Sequence, residues 1–320
     1  MTGRRMKFVG TLPLWLLAAA FPAHSVTTQF PGGYIGNFSG VANLSGCSGA
    51  LLADGIHVLT AAHCAGSWSV NGSGQTVLTQ GIFGLYFFTP MYNGSAFADA
   101  VTGVQFNPAT AVWFKDDPYY GLMYDIAILD LATPAPADAV RYNLDLSGYA
   151  IAHNSPVTMA GWGLGGYPGG EVGGFGPNGT AGNLRAGTNT VAGIRTSIDD
   201  PNLPLDPSVT LLDDPIRLLW TTTSDTTTPS NTLGLSNGGD SGGPLLYNGN
   251  LIGITSFGDL PRNGILPIGQ TYEADYVNLA NSGNAGWLSS VLSGTPEPAT
   301  WMLAAGGALL VLLRRRAIRR

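Results

Sequence analysis

The sequence predicts an all-β protein with many short strands and a short helix near its C-terminal end. Glycine and proline are frequent, at 46 and 21 of 320 residues, and such frequent helix-breaking residues argue against long helices. Seven tryptophans and twelve tyrosines supply apolar surface for an ordered core. Apolar runs of strand length lie between the turn residues at 56–62, 77–88, 125–131, 156–162, 184–194 and 250–257.

The composition also narrows the choice of partners. The formal net charge is −6, so nucleic acid is not expected as a partner. A glycine-rich stretch at 163–182 lacks the G-K-[ST] ending of a phosphate loop. The acidic pairs Asp116/Asp117, Asp199/Asp200 and Asp213/Asp214 could bind calcium, but none has EF-hand spacing, and solvated acidic loops are the favoured interpretation. We therefore expect neither a cofactor nor a metal.

The N-terminal segment, residues 1–25, predicts export. Basic residues come first, an apolar run follows at 12–21, and the small residues Ala23 and Ser25 close the segment. This is the layout of a secretory signal peptide that is cleaved after Ser25.

The C-terminal segment, residues 296–320, joins Pro-Glu-Pro to an apolar stretch at 299–313 and a cluster of arginines. It resembles the PEP-CTERM sorting signal of Gram-negative bacteria. The resemblance implies a transmembrane segment that holds the exported protein in the inner membrane. An exosortase-type enzyme then removes the tail and releases the protein to the cell surface or medium. A plain C-terminal membrane anchor is the alternative.

The chain has only two cysteines, Cys47 and Cys64. Because an exported protein folds in an oxidising compartment, we expect them to form a disulfide. The closed loop would stabilise the fold by about 3 kcal/mol. A zinc site is the alternative, but the chain has no CxxC motif and few histidines nearby.

The segment 237–244 surrounds Ser241 with glycines, which permit tight backbone conformations. The amide groups of Gly239 and Ser241 could then point together at a developing oxyanion. The same residues satisfy the G-x-S-x-G pattern of α/β-hydrolases, in which the catalytic histidine follows the serine. No histidine follows Ser241, so that class is excluded.

Upstream, His63 ends a short apolar strand and precedes Cys64, while Asp125 opens a second apolar strand. A buried aspartate can orient a histidine and stabilise its imidazolium form. Asp54 is the only other acid close before His63, but its Ala-Asp-Gly context is typical of a turn, so we favour Asp125. The remaining histidines of the exported body, His57 and His153, match no motif, and we expect them to be structural.

Three motifs, TAAHC at 60–64, DIAIL at 125–129 and GDSGGP at 239–244, resemble those of trypsin-like (chymotrypsin-family) serine proteases. They occur in the order His, Asp, Ser, and the resemblance covers about residues 30–290. It implies that Ser241 is the nucleophile, that His63 is the general base and then acid, and that Asp125 orients His63. It further implies that the amides of Gly239 and Ser241 form the oxyanion hole.

The resemblance also implies an architecture for the exported body, residues 26–295. Two antiparallel Greek-key six-stranded barrels would cover about 26–140 and 141–283, and a short helix would follow at 284–293. The triad would lie in the cleft between the barrels.

Ser256, Phe257 and Gly258 resemble the family segment that pairs with the substrate backbone as an added strand. Leu235 stands where cleavage after arginine or lysine requires an aspartate. An unpaired substrate cation buried there would be strongly disfavoured, so we expect small or apolar residues before the scissile bond. Asp259, at the rim, is the one residue that could restore a basic preference.

Asp240 resembles the buried aspartate that pairs with a newly formed N-terminal ammonium in activated family members. No tryptic activation sequence precedes the domain. We therefore expect signal-peptide removal itself to free the α-amino group of Val26 for this pairing.

Together these features predict an exported serine endopeptidase that acts on protein or peptide substrates through an acyl-enzyme. The alternative is a catalytically silent binding or extracellular-matrix protein that keeps the same fold.

Overall fold

The structure is a computed structural model that describes most of the chain between the predicted signal peptide and tail. The described residues are 26–28, 36–70, 76–82, 84–87, 96–98, 101–106, 125–172, 183–194, 214–228 and 232–294. Both predicted targeting segments, 1–25 and 296–320, lie outside them. Within the described ranges no helix is both long and apolar enough to cross a membrane.

The first half of the chain is built of short strands and one 3-10 turn. They are β1 Thr27–Thr28, β2 Val41–Asn43, β3 Ser48–Leu51, β4 His57–Thr60, the turn Ala62–Cys64, β5 Gly66–Val70, β6 Thr76–Gly81, β7 Leu85–Phe87, β8 Ala96–Ala98, β9 Val101–Phe106 and β10 Ala127–Leu131. Seven of these strands form one antiparallel sheet in the order β8-β7-β2-β3-β4-β10-β9. In the described residues this sheet thus has one strand more than the six expected.

The second half contains further strands and two helices. They are α1 Tyr149–Ala152, β11 Pro156–Gly161, β12 Glu171–Val172, β13 Arg185–Ile194, β14 Ile216–Thr221, β15 Gly234–Leu235, β16 Pro244–Tyr247, β17 Asn250–Gly258, β18 Gly264–Ile265, β19 Thr271–Asn278 and α2 Ser282–Gly294. Six strands close a barrel in the order β11-β13-β14-β19-β17-β16. The predicted fold class, with two barrel-like sheets and a C-terminal helix, is confirmed.

The apolar runs of the sequence are continuous because alternate side chains enter different cores. In β4, Val58 packs inside the first sheet, while Leu59 packs in a core shared by both halves. In β10, Leu129 likewise packs inside the first sheet, and Ile128 packs in the shared core. Because these strands are buried on both faces, their sequences do not alternate between polar and apolar residues.

The shared core joins the two halves and fixes their contact. It includes Ile126 from the first half, and Trp162, Ile254 and Trp287 from the second. The Trp162 indole N–H also donates to the backbone carbonyl of Val41 at 2.8 Å. Residues at the ends of β4, β10 and β17 are thereby brought to one region.

Candidate active site

His63 is held in the 3-10 turn that follows β4. Cys64, in the same turn, is bonded to Cys47, with 5.9 Å between their Cα atoms. The predicted disulfide is therefore confirmed. The alanines on either side of the His63–Cys64 pair are fully buried, so packing as well as the covalent bond fixes the turn.

Asp125 reaches His63 because of strand register. Strand β10 pairs antiparallel with β4, with Ala127 opposite Thr60, so the residues before β10 lie beside those after β4. Asp125 Oδ1 accepts the backbone N–H of His63 at 2.9 Å, and its Oδ2 lies 2.7 Å from His63 Nδ1. Because an ionised carboxylate can only accept, Nδ1 carries the proton and Nε2 keeps its lone pair.

The electrostatics favour a charged pair during proton transfer. Burial disfavours the imidazolium, but the charge and hydrogen bond of Asp125 outweigh it and raise the pKa of His63 above the ordinary 6.5, with Arg262 acting in the opposite direction. Burial also disfavours the Asp125 carboxylate. Its contacts with His63 and the Ser256 hydroxyl nevertheless lower the pKa of Asp125.

Ser256 has a role that the sequence did not reveal. Its hydroxyl donates to Asp125 Oδ2 at 2.7 Å, across a separation of 131 residues, whereas the motif predicted only contact with substrate backbone. Both side chains are buried. The second barrel thus helps to hold the carboxylate that belongs to the first, and no local pattern in the sequence signals this contact.

The loop that carries Ser241 is docked on the turn that carries His63. The Ser241 carbonyl accepts the Ser48 N–H at 2.7 Å and lies 3.5 Å from Cys64 Sγ. Among the described residues, none hydrogen-bonds the Ser241 hydroxyl. In enzymes without bound substrate, hydrogen bonds to the reacting groups are commonly long and tighten only in the substrate complex.

The backbone around Ser241 leaves two amides without an acceptor. The Gly238 carbonyl accepts the Leu164 N–H at 2.7 Å, and the Asp240 carbonyl accepts the Gly243 N–H at 2.7 Å. Because N–H and C=O point in opposite directions in a trans peptide, the amides of Gly239 and Ser241 point away from these contacts. Neither has an acceptor within the described part of the chain, as an oxyanion hole requires.

Asp240 is fully buried beside the N-terminal strand β1. Its carboxylate accepts the amides of Gly163 at 2.8 Å and Asn237 at 2.7 Å. Burial raises the pKa of Asp240 to about 7, although its hydrogen bonds and the charge of Arg185 oppose the rise. The Asn237 side chain also donates to Thr27 Oγ1 at 3.0 Å, so the residue after Val26 lies one contact from this carboxylate.

The predicted specificity residues fall into two groups. Leu235 is fully buried in the core of the second barrel and lies opposite Thr27. Phe257 and Gly258 pair with β19, where Gly258 faces Ala274. A Cβ on Gly258 would lie 3.0 Å from the Glu273 carbonyl oxygen and 3.3 Å from the Ala274 methyl, so the partner strand β19 packs closely against this glycine.

Asp259 is exposed, and one of its carboxylate oxygens is bound by the backbone of β19. Asp259 Oδ1 accepts the backbone N–H of Glu273 at 2.7 Å. The bond holds this oxygen against β19.

The other histidines have partners of their own. His57 Nδ1 lies 2.6 Å from Asp54 Oδ2, and its Nε2 lies 3.5 Å from Asp130 Oδ1. His153 contacts the Tyr149 carbonyl and stacks on its ring. Asp54 therefore binds His57 at the start of β4, whereas Asp125 binds His63 beyond the end of β4.

One cluster in the described residues has the composition of a metal site, formed by Cys47, His63 and Cys64. It does not fit a metal, because the two sulfur atoms are bonded to each other. His63 Nδ1 is already engaged by Asp125.

Comparison with known proteins agrees with this geometry. A profile of the family described as Trypsin matches residues 27–173 and 214–279. No curated protein matches the chain significantly. Mouse neuropsin, described as a serine protease expressed in the limbic system, aligns with a TM-score of 0.50 and 18% identity over 80% of this chain and 95% of its own. Human heparin binding protein aligns with a TM-score of 0.49 and 17% identity over 81% and 93%.

Proposed function

Because the chain belongs to the trypsin family, we propose that it is an exported serine endopeptidase that hydrolyses peptide bonds through an acyl-enzyme. The observation that carries the proposal is the pair of amides at Gly239 and Ser241, neither of which has an acceptor among the residues that the structure describes. They occur on a loop docked against the His63–Asp125 pair. A merely structural loop has no need of two such donors.

In the proposed mechanism, Ser241 Oγ attacks the scissile carbonyl while His63 Nε2 accepts its proton. The amides of Gly239 and Ser241 donate to the oxyanion of the tetrahedral intermediate. The imidazolium, stabilised by Asp125, then protonates the leaving amine. Water attacks the acyl-enzyme in the same way and releases the second product.

We further propose that small or apolar side chains precede the scissile bond. Leu235, which is fully buried, offers no carboxylate to a basic side chain. A buried guanidinium or ammonium would remain unpaired there, which costs several kcal/mol.

The processing of the chain is also part of the proposal. Residues 1–25 act as a signal peptide, residues 26–295 form the peptidase, and residues 296–320 act as a PEP-CTERM tail. This tail anchors the protein in the inner membrane until an exosortase-type enzyme removes it. The basis for both ends is the amino-acid pattern.

Fluorophosphonate labelling of the purified exported protein tests the chemistry. We expect one modified residue, Ser241, with labelling lost in Ser241→Ala and kept in Ser224→Ala, a change at an exposed serine. A folded protein that is neither labelled nor able to cleave a diverse peptide library would instead support the catalytically silent alternative.

A further inference from the structure

One peptide group lies between the two amides of the proposed oxyanion hole. It joins Gly239 to Asp240, and we call it the central peptide. Gly239 has a φ of 92°, a left-handed conformation that glycine adopts at no steric cost, so its own backbone does not fix this group. The N–H of the central peptide donates to the Asn237 carbonyl at 2.9 Å. Its carbonyl accepts the Ser48 hydroxyl at 3.1 Å, across 191 residues.

The direction of the hydrogen bond from Ser48 follows from its second partner. The backbone N–H of Trp162 donates to Ser48 Oγ at 2.9 Å. Because an N–H group can only donate, the oxygen accepts there and its own hydrogen is left for the Gly239 carbonyl. Ser48 is fully buried, so bulk water does not compete for either bond.

The backbone of Ser48 is attached to both sides of the site. Its N–H donates to the Ser241 carbonyl at 2.7 Å. Its carbonyl accepts the Thr60 hydroxyl at 2.7 Å, in the strand β4 that leads to His63. A single residue of β3 therefore contacts the nucleophile, the central peptide and the strand that carries the base.

The segment 162–164 shows that the hydroxyl is part of a larger arrangement. Its three successive amides donate to Ser48 Oγ, to the Asp240 carboxylate and to the Gly238 carbonyl. Of these acceptors only Ser48 belongs to the first half of the chain. The Ser48 hydroxyl thus ties the sheet of the first half to the loop that carries the two hole amides.

We propose that Ser48 is a positioning residue whose hydroxyl fixes the two oxyanion-hole amides relative to each other. The inference rests on the proposed peptidase function, which assigns the amides of Gly239 and Ser241 to the hole. Such donors are most effective when they are aimed at the oxyanion before the reaction begins. Without the hydroxyl, the Gly239 carbonyl and the Trp162 amide would each lose a buried partner, and the central peptide would be freer to rotate.

The test compares the exported protein with Ser48→Ala, using the best-cleaved peptide of a diverse library. We expect kcat to fall by about tenfold to hundredfold, somewhat less than the loss of a hole donor itself, with KM within about twofold. Such a loss, equal in kcat and kcat/KM, marks an interaction made only in the transition state. A trifluoromethyl ketone of the same peptide, whose adduct with Ser241 carries an oxyanion, should bind more weakly by a similar factor.

Ser39→Ala is the matched control. Ser39 is also buried, and its hydroxyl likewise accepts a backbone amide, from Val140 at 3.1 Å, and donates to a backbone carbonyl, of Asp138 at 3.3 Å. Neither partner belongs to the site. Ser39→Ala should therefore lower the midpoint of urea denaturation about as much as Ser48→Ala does, but leave kcat and inhibitor affinity unchanged.

Ser48→Gly is a second variant that lacks the hydroxyl and adds no atom to the core. It should show the same loss of kcat at nearly constant KM, and it replaces Ser48→Ala in the comparison if that variant does not fold.

Unchanged kcat in a folded Ser48 variant would overturn the assignment. A rise in KM at constant kcat would also overturn it, as would a loss of kcat no larger than that in Ser39→Ala. Failure of the proposed function has a different signature, namely no cleavage by the wild type and no fluorophosphonate labelling of Ser241, and the role of Ser48 would then fail with it.

Discussion

At the scale of single residues, the proposed catalysis would depend on how one carboxylate is held. Asp125 is almost completely buried and binds both the backbone and the ring of His63. The Ser256 hydroxyl satisfies the same oxygen that faces the ring. These contacts select one imidazole tautomer, so a change at Asp125 should alter catalysis far more than folding.

Replacing Asp125 with asparagine tests this. We expect kcat to fall by about 10³- to 10⁴-fold, because an amide in place of the carboxylate favours the wrong tautomer. Peptide hydrolysis gives kcat, and thermal unfolding gives the change in stability. An Asp125→Asn variant with nearly full activity would contradict the role assigned to Asp125, and Asp54→Asn serves as the control at the other candidate acid.

The pH profile follows from the raised pKa of His63. The base must be neutral to accept the Ser241 proton, so kcat/KM should fall as the pH drops through a midpoint above 6.5. The measurement is kcat/KM between about pH 5 and pH 9. A flat profile from pH 5 to 8 would argue against His63 as the base.

At the scale of elements, the loop that bears the nucleophile requires glycine for two separable reasons. Gly242 and Gly249 have nearly the same left-handed backbone, with φ of 79° and 80°. A Cβ on Gly242 would collide with the Thr60 hydroxyl and the Ser48 carbonyl, whereas a Cβ on Gly249 would meet nothing within 4 Å. Alanine substitutions at Gly242 and Gly249 therefore distinguish the cost of backbone strain alone from the cost of strain combined with a steric clash.

Gly242→Ala should lower the free energy of unfolding by about 3 kcal/mol or more and abolish labelling of Ser241. Gly249→Ala should lower the free energy of unfolding by only about 1–2 kcal/mol, the value for left-handed strain alone, and leave labelling intact. Chemical denaturation measures both. Equal destabilisation by the two substitutions would mean that the contact with β4 does not matter.

The strand pair β4–β10 carries a second, noncatalytic histidine site. Burial disfavours protonation of His57. The hydrogen bond and charge of Asp54, together with the charge of Asp130, nevertheless raise the pKa of His57. Because the folded-state pKa exceeds the ordinary value of 6.5, the site stabilises the fold fully below that pH. The stabilisation disappears as the pH rises through the raised pKa.

We therefore expect His57→Gln to lower the free energy of unfolding more at about pH 5.5 than at about pH 9. Urea denaturation at the two values measures the difference. His153→Gln is the control, since His153 is exposed and contacts a backbone carbonyl and a ring. A loss of stability at His57 that does not depend on pH would exclude the charged pair.

At the scale of the whole molecule, the buried Asp240 would connect the proposed N-terminal processing to stability. Its pKa of about 7 exceeds the ordinary 3.8, so the folded state holds a proton that the unfolded chain releases between these values. Stability should then fall as the pH rises through this window. An ammonium at Val26, freed by cleavage after Ser25, would offset the buried charge and remove most of the loss.

Two forms of the protein test this, one that begins at Val26 and one with a single extra residue before it. The longer form should lose a few kcal/mol more stability between about pH 5 and pH 8 and should label Ser241 more slowly. Denaturation at several pH values and N-terminal sequencing measure the effect. Identical pH dependence, or a natural start well beyond Phe30, would contradict the pairing.

Much of the fold and of the candidate site follows from local sequence. Turn residues between apolar runs predicted the short strands, and two cysteines in a chain predicted to be exported indicated the Cys47–Cys64 bond. The order of His63, Asp125 and Ser241 excluded the α/β-hydrolase class. These features can be predicted from the sequence because strand period, turn chemistry and the order of residues along the chain are local or one-dimensional properties.

Only the tertiary structure decided which groups contact one another across long separations. Strand register places Asp125 in contact with His63, whereas Asp54 contacts His57. Contact between the two barrels brought the Ser256 hydroxyl to Asp125, and packing within the second half brought the Asn237 side chain to the Pro261 carbonyl. Such contacts depend on register and packing between distant strands, for which the sequence has no local signature.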